Sequence, residues 1–241
     1  STGLGYQTLS GTNNGGENTA VGYQAFSVGT INGFSNTAVG FQALKANSDG
    51  NRNLAFGAIA LDANTSGNDN SAIGYNTLGV NTAGSGNTAI GSSALAVNTG
   101  GSNTGIGFNA GYVNSGQYSN QTGTNNTYLG YNSGPWRQNA TFSNSTAIGS
   151  YALVDAANSL VLGGTGFYAV NVGIGTATPS AVLDIQGGNR GGNAALIVNQ
   201  TGVNTNDIIA ASAAGSTVFR VTNNGTASSA AGFTINGAGN I

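Results

Sequence analysis

Asn18-Thr19-Ala20-Val21-Gly22-Tyr23-Gln24-Ala25-Phe26 is followed by Asn36-Thr37-Ala38-Val39-Gly40-Phe41-Gln42-Ala43-Leu44, the same phrase with two conservative changes. Its glycine recurs at Gly5, Gly22, Gly40, Gly57, Gly74, Gly91, Gly107, Gly130 and Gly149. Subtracting neighbouring numbers gives gaps of 17, 18, 17, 17, 17, 16, 23 and 19 residues. A period this regular predicts a solenoid, in which each coil touches mainly the coils before and after it. With the glycine as position zero, positions −1, +1 and +3 hold Val21, Tyr23 and Ala25, while −2, +2 and +4 hold Ala20, Gln24 and Phe26. Read with a period of two, both faces carry apolar groups, as in a strand covered on both sides. The Gly- and Asn-rich stretches between phrases, such as 11–16 and 64–70, read as turns.

The expected fold is therefore all-β: a stacked β-roll or β-solenoid with coils of about 17 residues over 1–163, followed by a strand-rich stalk module over 164–241. About half of each coil would be strand, which predicts a coil too narrow to enclose a core by itself. Three identical chains around a shared axis, a homotrimer, would close over the remaining apolar groups. Nine coils at ~4.8 Å each make a rod on the order of 40 Å tall. The asparagine opening each phrase (Asn18, Asn36, Asn53, Asn70, Asn87, Asn103, Asn126) should stack as a ladder of side-chain amides, with Ser145 in the ninth copy.

Composition narrows the function classes. The chain has 241 residues, 42 of them glycine, five Lys and Arg against seven Asp and Glu, and no His, Cys or Met. A net charge of −2 gives no electrostatic footprint for nucleic acid. No apolar run approaches the ~20 residues of a membrane helix. Because 39% of residues are apolar and fall in register with the repeat, the sequence reads as ordered rather than disordered. The chain opens partway through a repeat and closes on what reads as another unit, so it is expected to be a segment of a longer fibre.

Asn70-Ser71-Ala72-Ile73-Gly74 and Asn87-Thr88-Ala89-Ile90-Gly91 resemble the head repeats of trimeric autotransporter adhesins, where such a phrase marks each coil of a trimeric β-roll. The longer phrase with Gly-Tyr-Gln-Ala-Leu is similar to repeats of phage tail fibres and long bacterial surface proteins. Asn171-Val172-Gly173-Ile174-Gly175-Thr176 through Pro179 and Leu183-Asp184-Ile185 resembles a stalk signature of such fibres. Phe219 to Gly225 looks like the hairpin strand that follows, with Asn224-Gly225 as its turn. The resemblance implies an adhesin-like structural segment at a cell or virion surface, with itself as partner.

Catalysis is not expected. Without histidine, Ser or Thr lacks its usual base, and cysteine chemistry is impossible. The acids Glu17, Asp49, Asp62, Asp69, Asp155, Asp184 and Asp207 are scattered, and neither paired carboxylates nor calcium-type Asp repeats occur. No cofactor or metal is implied. Binding is best sought where the repeat breaks, between Gly107 and Gly149. There lie Tyr112, Tyr118, Tyr128, Tyr131, Trp136, Phe142 and Arg137. Trp136, Arg137 and Tyr118 are the candidate ligand residues, suited to cell-surface glycans or host surface proteins, as in a receptor-binding tail fibre. Packing within or between protomers is the competing reading, and Tyr131, in the +1 column, is read as structural. A minor alternative is an ice-binding solenoid, from the column Thr19, Thr37, Thr88, Thr104, Thr127 and Thr146, interrupted by Leu54 and Ser71.

Overall fold

Three residues of each phrase become strand, and ten such strands stack into one parallel sheet. The computed structural model describes residues 1–111, 122–136, 141–164, 169–174 and 176–185, and the strand backbones of 209–213, 216–221 and 227–229. The stacked strands are Thr2–Leu4, Thr19–Val21, Thr37–Val39, Leu54–Phe56, Ser71–Ile73, Thr88–Ile90, Thr104–Ile106, Thr127–Leu129, Thr146–Ile148 and Leu160–Leu162. Register is kept throughout, so that Ala20 pairs with Ala38, Ala55 with Ala72 and Ala72 with Ala89. No helix occurs among the described residues. The fold is an all-β solenoid of stacked coils of about 17 residues.

The strands are shorter than the alternation predicts, and for a definite reason. Each anchor glycine takes a φ between +119° and +141°, which ends the strand at position −1. In the coils from Gly5 to Gly107 the residues at +2 and +4 then adopt left-handed backbone, for example Gln24 at +52°, Phe26 at +47° and Leu44 at +50°. Two left-handed residues within one turn carry both +3 and +4 to the inside. Ala25, Phe26, Ala43, Leu44, Ala60, Leu61, Ala94 and Leu95 are all fully buried, together with the −2 alanines. A left-handed non-glycine residue costs about 1–2 kcal/mol. The two in each turn therefore cost about 2–4 kcal/mol, which the about 1.5–3 kcal/mol from one buried Leu or Phe side chain roughly offsets.

Glycine at position zero is required twice over. Besides its φ, a Cβ on Gly22 would stand 2.5 Å from the carbonyl oxygen of Gly40 in the next coil. Coils can stack this closely only without a side chain there.

The asparagine ladder is present, and it satisfies every polar atom it buries. Asn53 donates its backbone N–H (2.9 Å) and its Nδ2 (3.2 Å) to Asn36 Oδ1, and Nδ2 also reaches the Gly67 carbonyl at 2.7 Å. Its own Oδ1 accepts from the N–H and Nδ2 of Asn70 at 3.0 and 3.1 Å. Both donors and both lone pairs of the side chain are used. Ser145 closes the column by donating its N–H to Asn126 Oδ1.

One expectation is corrected by this core. The coil is not too thin to bury a core of its own, because the Ala and Leu columns and the asparagine ladder are dry within a single chain. What the single chain leaves open is a different set of apolar groups, described below. The sheet also runs one strand further than the nine phrases. Leu160–Leu162, ending at Gly163, pairs with Thr146–Ile148 although it lacks the Thr-Ala pattern.

The chain divides into two units, Ser1–Val172 and Gly173–Ile241. Val172–Ile174 pairs with Leu183–Ile185, and Ile209–Ala213, Ser216–Val221 and Ala227–Ser229 form an antiparallel three-stranded sheet. The last two of these strands flank the expected Asn224-Gly225 turn, which itself lies outside the described residues.

Candidate interaction face

On each three-residue strand the central side chain points inward and its neighbours point out. The outward ranks are therefore positions −3, mostly Thr, and −1, mostly Val, Ile or Leu. Position +1 adds a third outward rank just beyond the glycine. Fourteen large apolar side chains in the −1 and +1 ranks are 36–69% exposed, running from Leu4 and Tyr6 to Leu162. If each offers on the order of 70 Å², well under what a buried aromatic contributes, the stripe approaches ~1,000 Å². Monomeric proteins seldom show a contiguous apolar patch above ~600 Å², and a stable interface takes ~800 Å² from each partner.

Within this stripe the aromatic rings lie against one another. Tyr6 stacks on Tyr23 with centroids 5.3 Å apart, and Tyr23 on Phe41 at 5.5 Å. Phe108 stacks on Tyr131 at 5.6 Å, and Tyr131 meets Tyr151 edge-on at 5.3 Å. A hydrogen bond with Tyr151 raises the pKa of the Tyr131 phenol. Rings whose faces are taken by neighbours present edges outward, which suits packing against another protein surface better than stacking on sugar rings.

The three candidate ligand residues fare differently. Trp136 is 57% exposed. Its backbone N–H donates to the Val154 carbonyl at 2.7 Å. It follows buried Gly134–Pro135, a short strand paired in parallel with Leu153–Val154. The ring thus stands out from a fixed backbone. Arg137 and Tyr118 lie outside the described residues, as does Tyr112. Tyr128, grouped with them by sequence, is instead a fully buried core residue, and Phe142 packs against the core.

Charged groups do not converge. Arg52 Nε and Nη2 hold the two oxygens of Asp69 at 2.6 and 2.8 Å on the surface, which lowers the Asp69 pKa. Asp49 is lowered by hydrogen bonds from Asn32 and Ser48. Burial raises Asp62, against an opposing pull from Lys45. These carboxylates belong to separate turns. Among the described residues no cluster of acidic side chains could hold a metal ion, and no helix is long and apolar enough to cross a membrane.

A second asparagine column runs through the turns. Asn47, Asn64, Asn81 and Asn98 recur every 17 residues and are buried. Asn64 Nδ2 donates to Asn47 Oδ1 at 2.6 Å and Asn81 Nδ2 to Asn64 Oδ1 at 2.9 Å. Both columns converge on the turn glycines, so Gly50 O accepts from Asn36 and from Asn47. Comparison with protein-family models, curated proteins and solved structures finds no match to this chain.

Proposed function

We propose that the chain is a structural segment of an elongated homotrimeric extracellular fibre, adhesin-like, that carries or contributes to attachment at a cell or virion surface. The observation that supports it is the uncovered apolar stripe of the −1 and +1 ranks, repeated coil after coil. A partner with the same rise per coil matches such a surface along its whole length, and another copy of the chain has that rise. The polar remainder suits the same role. Its amides are engaged in ladders between coils, and no charged residue occurs between Asp69 and Arg137, so the rod offers little for ionic partners to grip.

The test is the mass of the purified chain in solution by light scattering, beside an Ile90→Lys/Ile106→Lys variant. A three-chain mass that falls to one chain in the variant supports the reading. A folded wild-type monomer at micromolar concentration sinks it.

A second reading, a tail-fibre segment that recognises cell-surface glycans, is favoured by Trp136, an exposed ring on a fixed backbone. A Trp136→Ala variant that keeps its assembly but loses retention on a glycan array would support it. Equal retention of both proteins would remove it.

A further inference from the structure

Bonding between coils is not uniform along the stack. The winding from Gly91 to Gly107 is one residue shorter than each of the three windings before it. Aligned on the turn glycines, Asn81-Thr82-Ala83-Gly84 corresponds to Asn98-Thr99-Gly100, with the third residue absent. The second asparagine column breaks there. Asn81 Oδ1 is buried with no hydrogen-bond partner. Asn98 does not reach Asn81 Oδ1 with its Nδ2 as Asn64 and Asn81 reach the acceptors before them, and its own Oδ1 accepts from Asn103 Nδ2 at 3.3 Å. The first column is thinned at the same place. Asn70 and Asn87 each grip the preceding Oδ1 with both N–H and Nδ2, whereas from here on Asn103 holds Asn87 Oδ1, and Asn126 holds Asn103 Oδ1, through the backbone N–H alone, each at 3.0 Å.

The far side of the same winding is where the apolar core changes hands. Leu44, Leu61, Leu78 and Leu95 fill position +4 in successive coils, but the next coil has Gly111 there. Tyr128 fills the core beyond it. The three-residue strands run through unchanged, Thr88–Ile90 pairing with Thr104–Ile106, as do the backbone bonds beside them from Leu95 to Ala110 and from Asn109 to Ser92.

We propose that this short winding is a built-in yield point, dividing the solenoid into two cooperative blocks and parting first under heat, denaturant or tension. The inference goes beyond the fibre reading and does not depend on it. In a linear array, stability is a sum of coil energies and nearest-neighbour interfaces. Sub-global opening therefore begins at the weakest interface. One buried acceptor without a partner is enough to favour that opening by about ten-fold. Blocks of intact coils on either side would survive the first event, so a strained rod gives way locally and can close again.

Hydrogen exchange of the full chain, read peptide by peptide, tests this. Backbone amides over 91–103 should exchange at least about ten-fold faster than those over 53–78. A variant with one alanine inserted between Thr99 and Gly100, restoring the Asn-Thr-Ala-Gly turn, should bring the two rates together. Equal protection over both segments of the wild type overturns the proposal, as does an insertion that folds and leaves the difference intact. Should the insertion not fold, deletion of Ala83 shortens the preceding turn in the same way. Fast exchange should then spread to 74–90, and a pattern that stays where it was overturns the proposal equally.

Discussion

The ring of Tyr128 lies where Gly111 has no side chain: a Cβ on Gly111 would stand 2.9 Å from Tyr128 Cδ2. In the coils from Gly22 to Gly91 position −2 is Ala and position +4 is Leu or Phe. Here the large group has moved from +4 of one coil to −2 of the next. Gly105, at −2 one coil earlier, belongs to the same exchange, since a Cβ there would meet Leu95 Cγ at 2.8 Å. Volume is conserved across the three positions while its source changes, as close-packed interiors demand.

Tyr128→Ala should therefore destabilise the solenoid by about 3–5 kcal/mol, the range for emptying a large buried side chain. Adding Gly111→Leu restores the leucine of the regular repeat and should recover part of that loss. Alone, Gly111→Leu should be destabilising. Denaturant melts of the four proteins form a double-mutant cycle, and simple additivity would contradict the exchange.

In the asparagine ladder, the amide Nδ2 of Asn53 has two acceptors and is fully buried. Asn53→Asp replaces two donors with a buried negative charge facing Asn36 Oδ1 and Gly67 O. The expected loss is about 3 kcal/mol or more at neutral pH, shrinking in acid as the carboxyl protonates. A variant as stable as wild type by thermal melting would mean the ladder contributes little.

Ile59 is the β-branched residue among those held at left-handed φ, at +51°. Its column otherwise holds Gln7, Gln24, Gln42, Asn76, Ser93, Asn109, Asn132 and Tyr151, and Gln42 Nε2 donates to Gln24 Oε1 at 2.9 Å. Since Asn tolerates this backbone far better than Ile, Ile59→Asn should raise stability by on the order of 1 kcal/mol. A lowered melting midpoint would show that the half-buried Ile59 packs more than it strains.

Stability should barely respond to pH. Asp49 and Asp69 have folded pKa values below their unfolded ones, so their contribution is present above the unfolded pKa and lost as pH falls through the lowered value. Asp62 is raised by burial, and its sign is opposite: stability is greatest below the unfolded pKa and declines as pH rises through the raised value. With no histidine, no side chain has its ordinary pKa between these acids and the tyrosines. Melting midpoints should stay level from about pH 6 to about pH 9. A drift of many degrees within that window would count against this account.

Much of this was legible in residues 18–26 and their copies. Period, parallel stacking and the first amide ladder follow from the spacing of Gly22, Gly40, Gly57 and Asn18, Asn36, Asn53. The second ladder was equally visible at Asn47, Asn64 and Asn81, hidden only because it lies in what reads as turn. The inward course of both Ala43 and Leu44 was not legible. It depends on left-handed backbone at Gln42 and Leu44, and leucine carries no sequence signal for that conformation. The candidate site divides the same way. Tyr131 falls in its expected column, whereas Tyr128 could be told from a surface aromatic only once Gly111 was seen beneath it.

Asn36 Oδ1 spends both its lone pairs on Asn53, and Asn53 Oδ1 does the same for Asn70. The hand-off is the same at each step from Asn18 to Asn87, so a storey of this stretch can be copied or lost whole and its former neighbours will still fit each other. Unequal recombination within the gene would thus lengthen or shorten the protein in finished units.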